Sequence, residues 1–288
     1  MNTAVMPIRR DISFNLPADK VTNWHKTGLH VSQFFNSMSL FFPVGERFFI
    51  DSVRAFRDQV SDPELKQAMT AFIGQEAMHG REHDELNDLL HAAGVPVKAQ
   101  EAFVTTLLKF IQESSPAKFQ LAVTVALEHL TAIMGNALLS KPETMEGSDE
   151  RFMALWNWHA IEETEHKAVC FDVYEKVMGK TLGSYALRTS TLVLATGIFF
   201  ALLYPFYVEN VRRKGGLFNL RGWRDSFRYQ WGSVGTLRSA VGEWFDWFKP
   251  GFHPWDHDNR HFLSRIDEYL AKVEVKQDKR AAKKVAAA

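Results

Sequence analysis

A single cysteine, Cys170, stands in 288 residues. One thiol cannot build a disulfide framework or a cysteine cage for a metal, and the count suits a reducing cytoplasm. An excess of one charge is missing too: 34 Lys and Arg meet 34 Asp and Glu, a formal net charge of +0. That balance speaks against nucleic acid as a partner and against an acidic solvating tail. Residues 1–19 lack the basic-then-apolar pattern of an export signal, so the expected location is the cytoplasm, with or without contact to the inner face of the membrane. Also missing are a solenoid repeat, a phosphate-cradling glycine loop and a Gly-x-Ser-x-Gly elbow.

Large flat side chains are abundant instead, with 23 Phe and 8 Trp. A chain of this length can bury roughly three quarters of its unfolded surface, so a bulky core is one use for them. An apolar ligand or a lipid surface is another.

From about Phe35 to Val177 the apolar pattern is helical almost throughout. A first helix is expected around Pro43 to Val60, beginning earlier if it kinks at the proline. The second is bounded by Asp62 as N-cap, Pro63 at the first helical position and Gly94 beyond its end. A shorter helix is expected over Gln100 to Glu113. Ser115 and Pro116 open a long one to about Leu139, and Ser148 and Asp149 open another to about Gly179. Four long helices with a longer middle connection describe an all-α, ferritin-like four-helix bundle.

Beyond it the composition changes. Thr189 to Val208 is an uncharged run of the length that spans a bilayer as a helix. Arg212, Arg213, Lys214, Arg221, Arg224 and Arg228 follow, and then an aromatic, turn-rich region. The basic cluster places the downstream end of the run on the cytoplasmic side, and the bundle belongs there too. A re-entrant or in-plane helix, or one docked on the bundle or in a homodimer interface, satisfies both better than a single span. Pro205 favours a bent segment. The expected division is an N-terminal extension over 1–30, the bundle over 31–180, a hydrophobic and basic helical region over 181–270, and a Lys/Ala tail over 271–288 that frays.

The chemistry lies in the bundle's apolar stripes. The second helix carries Leu65, Met69, Phe72, Glu76, His79, His83, Leu86 and Leu90 on one face, at spacings of three and four. A later stripe reads Phe152, Trp156, His159, Glu163, His166, Cys170 and Val173. Glu46 interrupts Phe42 and Phe49, and Glu128 lies between Val125 and Ala132. Ionisable groups amid apolar stripes are costly to bury unless paired or bound to metal. Roughly 0.7 Glu-x-x-His matches are expected by chance in such a chain, so two gain weight from position, each lying mid-stripe on a long helix. A Glu from each of two helices plus Glu-x-x-His from the other two is the ligand set of a ferritin-like dimetal site. Carboxylate-rich sites with one imidazole per metal favour iron, or manganese, over zinc.

Other residues compete with this set. Glu162 lies beside Glu163, but only Glu163 has both the three-residue spacing to His166 and the four-residue spacing to His159. His83 falls one turn beyond His79, a place for backing or channel lining. His129 points away from Glu128 and reads as structural, and Cys170 as a small core residue. Ion pairing to Arg47 or Arg54 is the alternative use of Glu46. His253, His257 and His261 could suggest a second metal site, although packing of Phe252 and Trp255 on the bundle accounts for that region.

Glu46, Glu76, His79, Glu128, His159, Glu163 and His166 resemble the ligand pattern of ferritin-like arylamine N-oxygenases, which use an additional histidine. The wider chain resembles the bacterial family of predicted metal-dependent hydrolases. Phe42-Pro-Val-Gly-Glu-Arg47, Gly74-Gln-Glu-Ala-Met-His79, Trp158-His-Ala-Ile-Glu-Glu-Thr-Glu-His166 and Pro250-Gly-Phe-His-Pro-Trp255 carry that resemblance over nearly the whole length. The expectation is an oxidase or oxygenase with two iron ions and O2 as co-substrate, acting on a small apolar or amphipathic molecule. Phe42, Phe49, Phe72 and Trp156 would line its pocket. Electrons would come from a separate reductase, since no flavin or iron–sulfur motif is present. A two-metal hydrolase of an ester or phosphoester, and a ferritin-like iron store, are the competing classes.

Overall fold

A computed structural model describes residues 5–233, 235–271 and 274–275. Most of the Lys/Ala tail expected to fray, Lys276 to Ala288, lies outside the described residues. The fold is all-α: α1 (Leu29–Ser39), α2 (Phe42–Arg54), α3 (Pro63–Ala92), α4 (Val97–Ser114), α5 (Ala117–Leu139), α6 (Glu150–His166), α7 (Val169–Met178), α8 (Leu182–Arg213), α9 (Leu220–Trp231), α10 (Thr236–Asp246) and α11 (Ile266–Leu270). A two-residue strand, Ile12–Ser13, pairs antiparallel with Glu274–Val275.

Local chemistry explains the helix boundaries. Asp62 caps α3 by accepting from the Glu64 and Leu65 amides at 3.0 and 3.3 Å, with Pro63 next. Asp149 caps α6 in the same way through Arg151. The expected first helix is two helices broken at Leu40 and Phe41. Pro43 has no N–H to offer the Ser39 carbonyl, which instead accepts from Asn87 Nδ2 at 3.2 Å. α2 stops at Arg54, short of Val60, and residues 55–59 turn tightly through bonds such as Phe56 N to Val53 O. The helix expected to reach Gly179 divides after His166. Its break coincides with Lys167, whose buried Nζ donates to the His257 carbonyl at 2.6 Å and to Asn259 Oδ1 at 2.8 Å.

α2, α3, α5 and α6 form the bundle, α2 packing on α3 and α5 on α6. Gly135 permits the second contact, because a Cβ there would lie 3.3 Å from the Ala160 Cα. The flanking segments join the bundle's own cores. Ile12, Phe14, Val21 and Trp24, in the stretch expected to extend from the bundle, are buried against it, Trp24 stacking on Phe152 at 5.2 Å. From the other end, Trp247 and Phe252 enter the core around Val53, Met69 and Phe171.

The apolar run lies within α8, which docks along α5 and α1. Leu192, Ala195, Phe199, Leu203, Tyr207 and Val211 form its buried stripe. The helix continues through Pro205 without interruption. Two carboxylates pair with part of the basic cluster: Arg212 and Arg213 share Glu209 at 2.6 and 2.8 Å, and Arg224 and Arg221 share Asp225 at 2.9 and 3.7 Å.

Candidate metal centre

Helical periodicity carries the seven expected residues to the middle of the bundle. Glu46 comes from α2, Glu76 and His79 from α3, Glu128 from α5, and His159, Glu163 and His166 from α6. All are buried, none more than 4% exposed. Their donor atoms form three overlapping groups, each within 4.8 Å: Glu46, His79 and His159; Glu76, His79 and Glu163; Glu76, Glu128 and His166. The first and third share no residue, and the middle group joins them. Each group could hold a metal ion.

Hydrogen bonds behind the histidines fix which ring nitrogen faces inward. Gln75 Nε2 donates to the Ile8 carbonyl and to Glu165 Oε2, so its Oε1 accepts from His166 Nδ1 at 3.0 Å. His166 Nε2 therefore carries the lone pair, 3.1 Å from Glu76 Oε1 and 3.5 Å from Glu128 Oε2. Glu162 accepts from Arg10 at 2.8 Å and from Trp158 Nε1 at 2.7 Å, and receives the His79 Nε2 proton at 3.1 Å. This leaves His79 Nδ1 inward, between Glu76 and Glu163.

The third chain is longer. Asn87 gives its Nδ2 protons to the Ser39 carbonyl and Glu101, so its Oδ1 accepts the Ser39 hydroxyl proton. Ser39 Oγ then accepts from His83 Nδ1 at 2.9 Å, and His83 Nε2 accepts from His159 Nδ1 at 2.8 Å. His159 turns its Nε2 towards the cluster, within hydrogen-bond distance of Glu163 Oε1 at 3.0 Å. Thr131 Oγ1 holds the other Glu163 oxygen at 2.6 Å. Backing of this kind is what orients metal-binding histidines.

The family described as predicted metal-dependent hydrolase matches residues 8–258. The chain belongs to that family. No curated protein and no solved structure matches it. The family's span takes in Ile8 and Arg10, which back the centre, as well as all four helices that carry it.

The cluster's electrostatics fit the metal dependence named in the family's description. Both carboxylate oxygens of Glu46, Glu76 and Glu128, with His79 Nδ1 and His166 Nε2, are buried without a hydrogen-bond partner. Burial first, then repulsion from neighbouring carboxylates, raises all three carboxyls well above their ordinary value. Glu163 is held low by His166 and His159, although burial opposes them. His79 is driven low by burial and by His159, so its inward nitrogen stays unprotonated. The four buried carboxyl groups make no ion pair with an Arg or Lys among the described residues, and divalent metal would supply the charge that lets them ionise together.

Other expectations find their places here. Arg47 pairs with Asp84 and Arg54 with Asp51, leaving Glu46 for the cluster. His83 supports His159. His129 stacks on Trp247 at 4.3 Å, where burial lowers its pKa to about 3. Cys170 is fully buried, its thiol pushed up by burial and nearby carboxylates. His253 bonds to Asp172 and His257 to Asp246, with no metal-holding group of three around them among the described residues. Phe42 packs on His159 and His83, Phe72 on His166, and Trp156 on His83.

Sequence reasoning missed Arg10, Gln75, Ser39 and Asn87 as supports. Gln75 lay within a quoted motif, beside Glu76. Arg10 carried no local signal, because its partners Glu162 and Glu165 are 152 and 155 residues away.

Proposed function

We propose that the protein is a non-haem di-iron oxidase or oxygenase acting on an apolar or amphipathic organic molecule. The observation that carries this reading is the pairing of the cluster with its surroundings. Seven buried donors, three of them histidines with one ring nitrogen turned inward, adjoin a cavity of about 60 Å³ reaching His159 and Glu163. Phe34, Phe35, Met38, Phe42 and Trp156 make its wall apolar, and neither it nor the larger cavity behind Phe42 is lined by Lys or Arg. A phosphoester or carboxylate would find no counter-charge there, which disfavours the hydrolytic reading.

Glu46, Glu76, Glu128 and Glu163 with His79, His159 and His166 would hold the irons. Iron bound there supplies dioxygen reduction, and hydroxylation would convert R–H, O2, two electrons and two protons into R–OH and water. The electrons come from a separate reductase. Phe42, Phe72 and Trp156 exclude water, and Thr131 keeps Glu163 turned towards the histidines. His83 accepts the His159 Nδ1 proton, so His159 turns its Nε2 inward.

The test is purification under iron supply, metal analysis, and rapid mixing of the reduced protein with oxygen. The expected outcome is about two irons per chain, an oxygen-dependent absorption change and oxygen uptake linked to apolar substrates. Tightly held zinc, no oxygen chemistry and turnover of esters would overturn the proposal in favour of hydrolysis.

A further inference from the structure

Between α2, α4, α5 and α8 lies a second cavity of about 360 Å³, within the range of roughly 300–1,000 Å³ usual for small-molecule sites. It shares the wall formed by Phe42, Thr131 and Met134 with the smaller cavity that touches His159 and Glu163. Two of its lining residues, Phe110 on α4 and Leu194 on α8, are 65% and 51% exposed. Wall residues on α8 run from Thr191 to Leu202, a length of roughly 16 Å at the helical rise per residue.

The wall offers little to a polar ligand. It is built of residues such as Phe49, Leu108, Val123 and Phe199. Its hydroxyls are committed: Ser114 donates to the Phe110 carbonyl, Ser115 to Ile111, Thr191 to Leu187, and Thr131 to Glu163. A ligand body carrying acceptors would lose its water without compensation, and one carrying donors would meet only a few hydroxyl oxygens. A hydrocarbon would have neither difficulty. With C–C bonds of about 1.5 Å in a zigzag, the length takes an extended chain of roughly a dozen carbons.

We propose that this cavity binds one long unbranched alkyl chain, admitted between α4 and α8 past Phe110 and Leu194 and passed to the candidate metal centre at Phe42, Thr131 and Met134. The assignment rests on the oxygenase reading for its purpose but not for its test. Binding needs neither oxygen nor electrons.

The test is calorimetric titration of the metal-loaded, oxygen-free protein with saturated fatty acids of increasing length. Saturable binding is expected, tightening roughly fourfold per methylene until the cavity is filled and level thereafter. Leu108→Trp should weaken dodecanoate binding at least tenfold with unchanged metal content and helicity. Leu194→Asp, at an exposed position that tolerates change, should weaken it while leaving the fold intact. Saturable dodecanoate binding without vesicles supports a free amphiphile as the source. Binding seen only with phosphatidylcholine vesicles, and lost in both variants, supports a bilayer source. Absence of binding in both formats, no dependence on chain length, or binding unchanged in both variants overturns the proposal. Chain binding without oxygen uptake would remove the oxygenase reading alone, and oxygen uptake on short substrates without chain binding would remove this proposal alone.

Discussion

Among the described residues two helices, α5 and α8, are long and apolar enough to cross a membrane, yet they face different surroundings. In α5, 78% of the most apolar stretch is buried inside the protein; in α8 the share is 33%. The helix with the deeper burial is the one that carries a carboxylate, Glu128, at its centre. α8 keeps its uncharged run, with Val193 and Leu194 more than half exposed. Hydropathy measures what a helix avoids. It does not say whether neighbouring helices, a ligand or a lipid surface meets the need.

The strongest way to break the comparison is to make α5 wholly apolar. Glu128→Leu should remove one of the two metal-binding ends, lowering bound metal from about two ions per chain to about one, as read by elemental analysis. Full metal content in that variant would refute the assignment of Glu128. The backing of the interior comes next. Arg10→Met should weaken metal affinity about 10–100-fold with helicity unchanged, because it frees both Glu162 and Glu165. Unaltered metal titration would show that the arginine only closes the bundle.

The pH dependence of the metal-free protein separates the two helices further. Glu46, Glu76 and Glu128 have raised pKa values when folded, so at these positions the folded chain keeps protons that the unfolded chain gives up above the ordinary carboxyl value. Burial lowers His25, His79, His83 and His129, which gives the opposite slope up to about pH 6.5; above that the carboxyl slope remains, and stability falls as pH rises. Urea titrations across pH should show that slope, flatter in Glu128→Leu. A flat wild-type profile would contradict the burial of these groups as charges.

Glycines give the smallest effects. Gly135 in α5 faces the Ala160 backbone, and Gly135→Leu should cost about 1–3 kcal/mol through overpacking. Gly197 in α8 has nothing within 4 Å of its missing Cβ, so Gly197→Ala should stabilise by about 0.5–1 kcal/mol. Denaturation midpoints measure both. A destabilised Gly197→Ala would mean that this face of α8 is covered.

Much of the bundle and the candidate centre was legible because helical periodicity is local. Phe42, Glu46 and Phe49 must share a face of any helix they form, and so must His159, Glu163 and His166. Asp62 and Asp149 announced their helices through side chains that reach only two or three residues ahead. The division after His166 was hidden, as Lys167 is held by His257 and Asn259 from a loop 90 and 92 residues on. The choice between Glu162 and Glu163 was decided by spacing, but only the fold supplied Glu162 with its own task behind His79.

By itself, then, the sequence determined which side chains could meet in the bundle's interior: a stripe needs nothing but the 3.6-residue turn. Tertiary structure decided which atom each would present. Arg10, Gln75 and His83 select the inward nitrogens of His79, His166 and His159 by hydrogen bonds across the fold. It also decided the place of α8, an apolar helix that shields one face on α5 and leaves the other exposed. Both outcomes depend on contacts between distant segments, and no local pattern of residues encodes those.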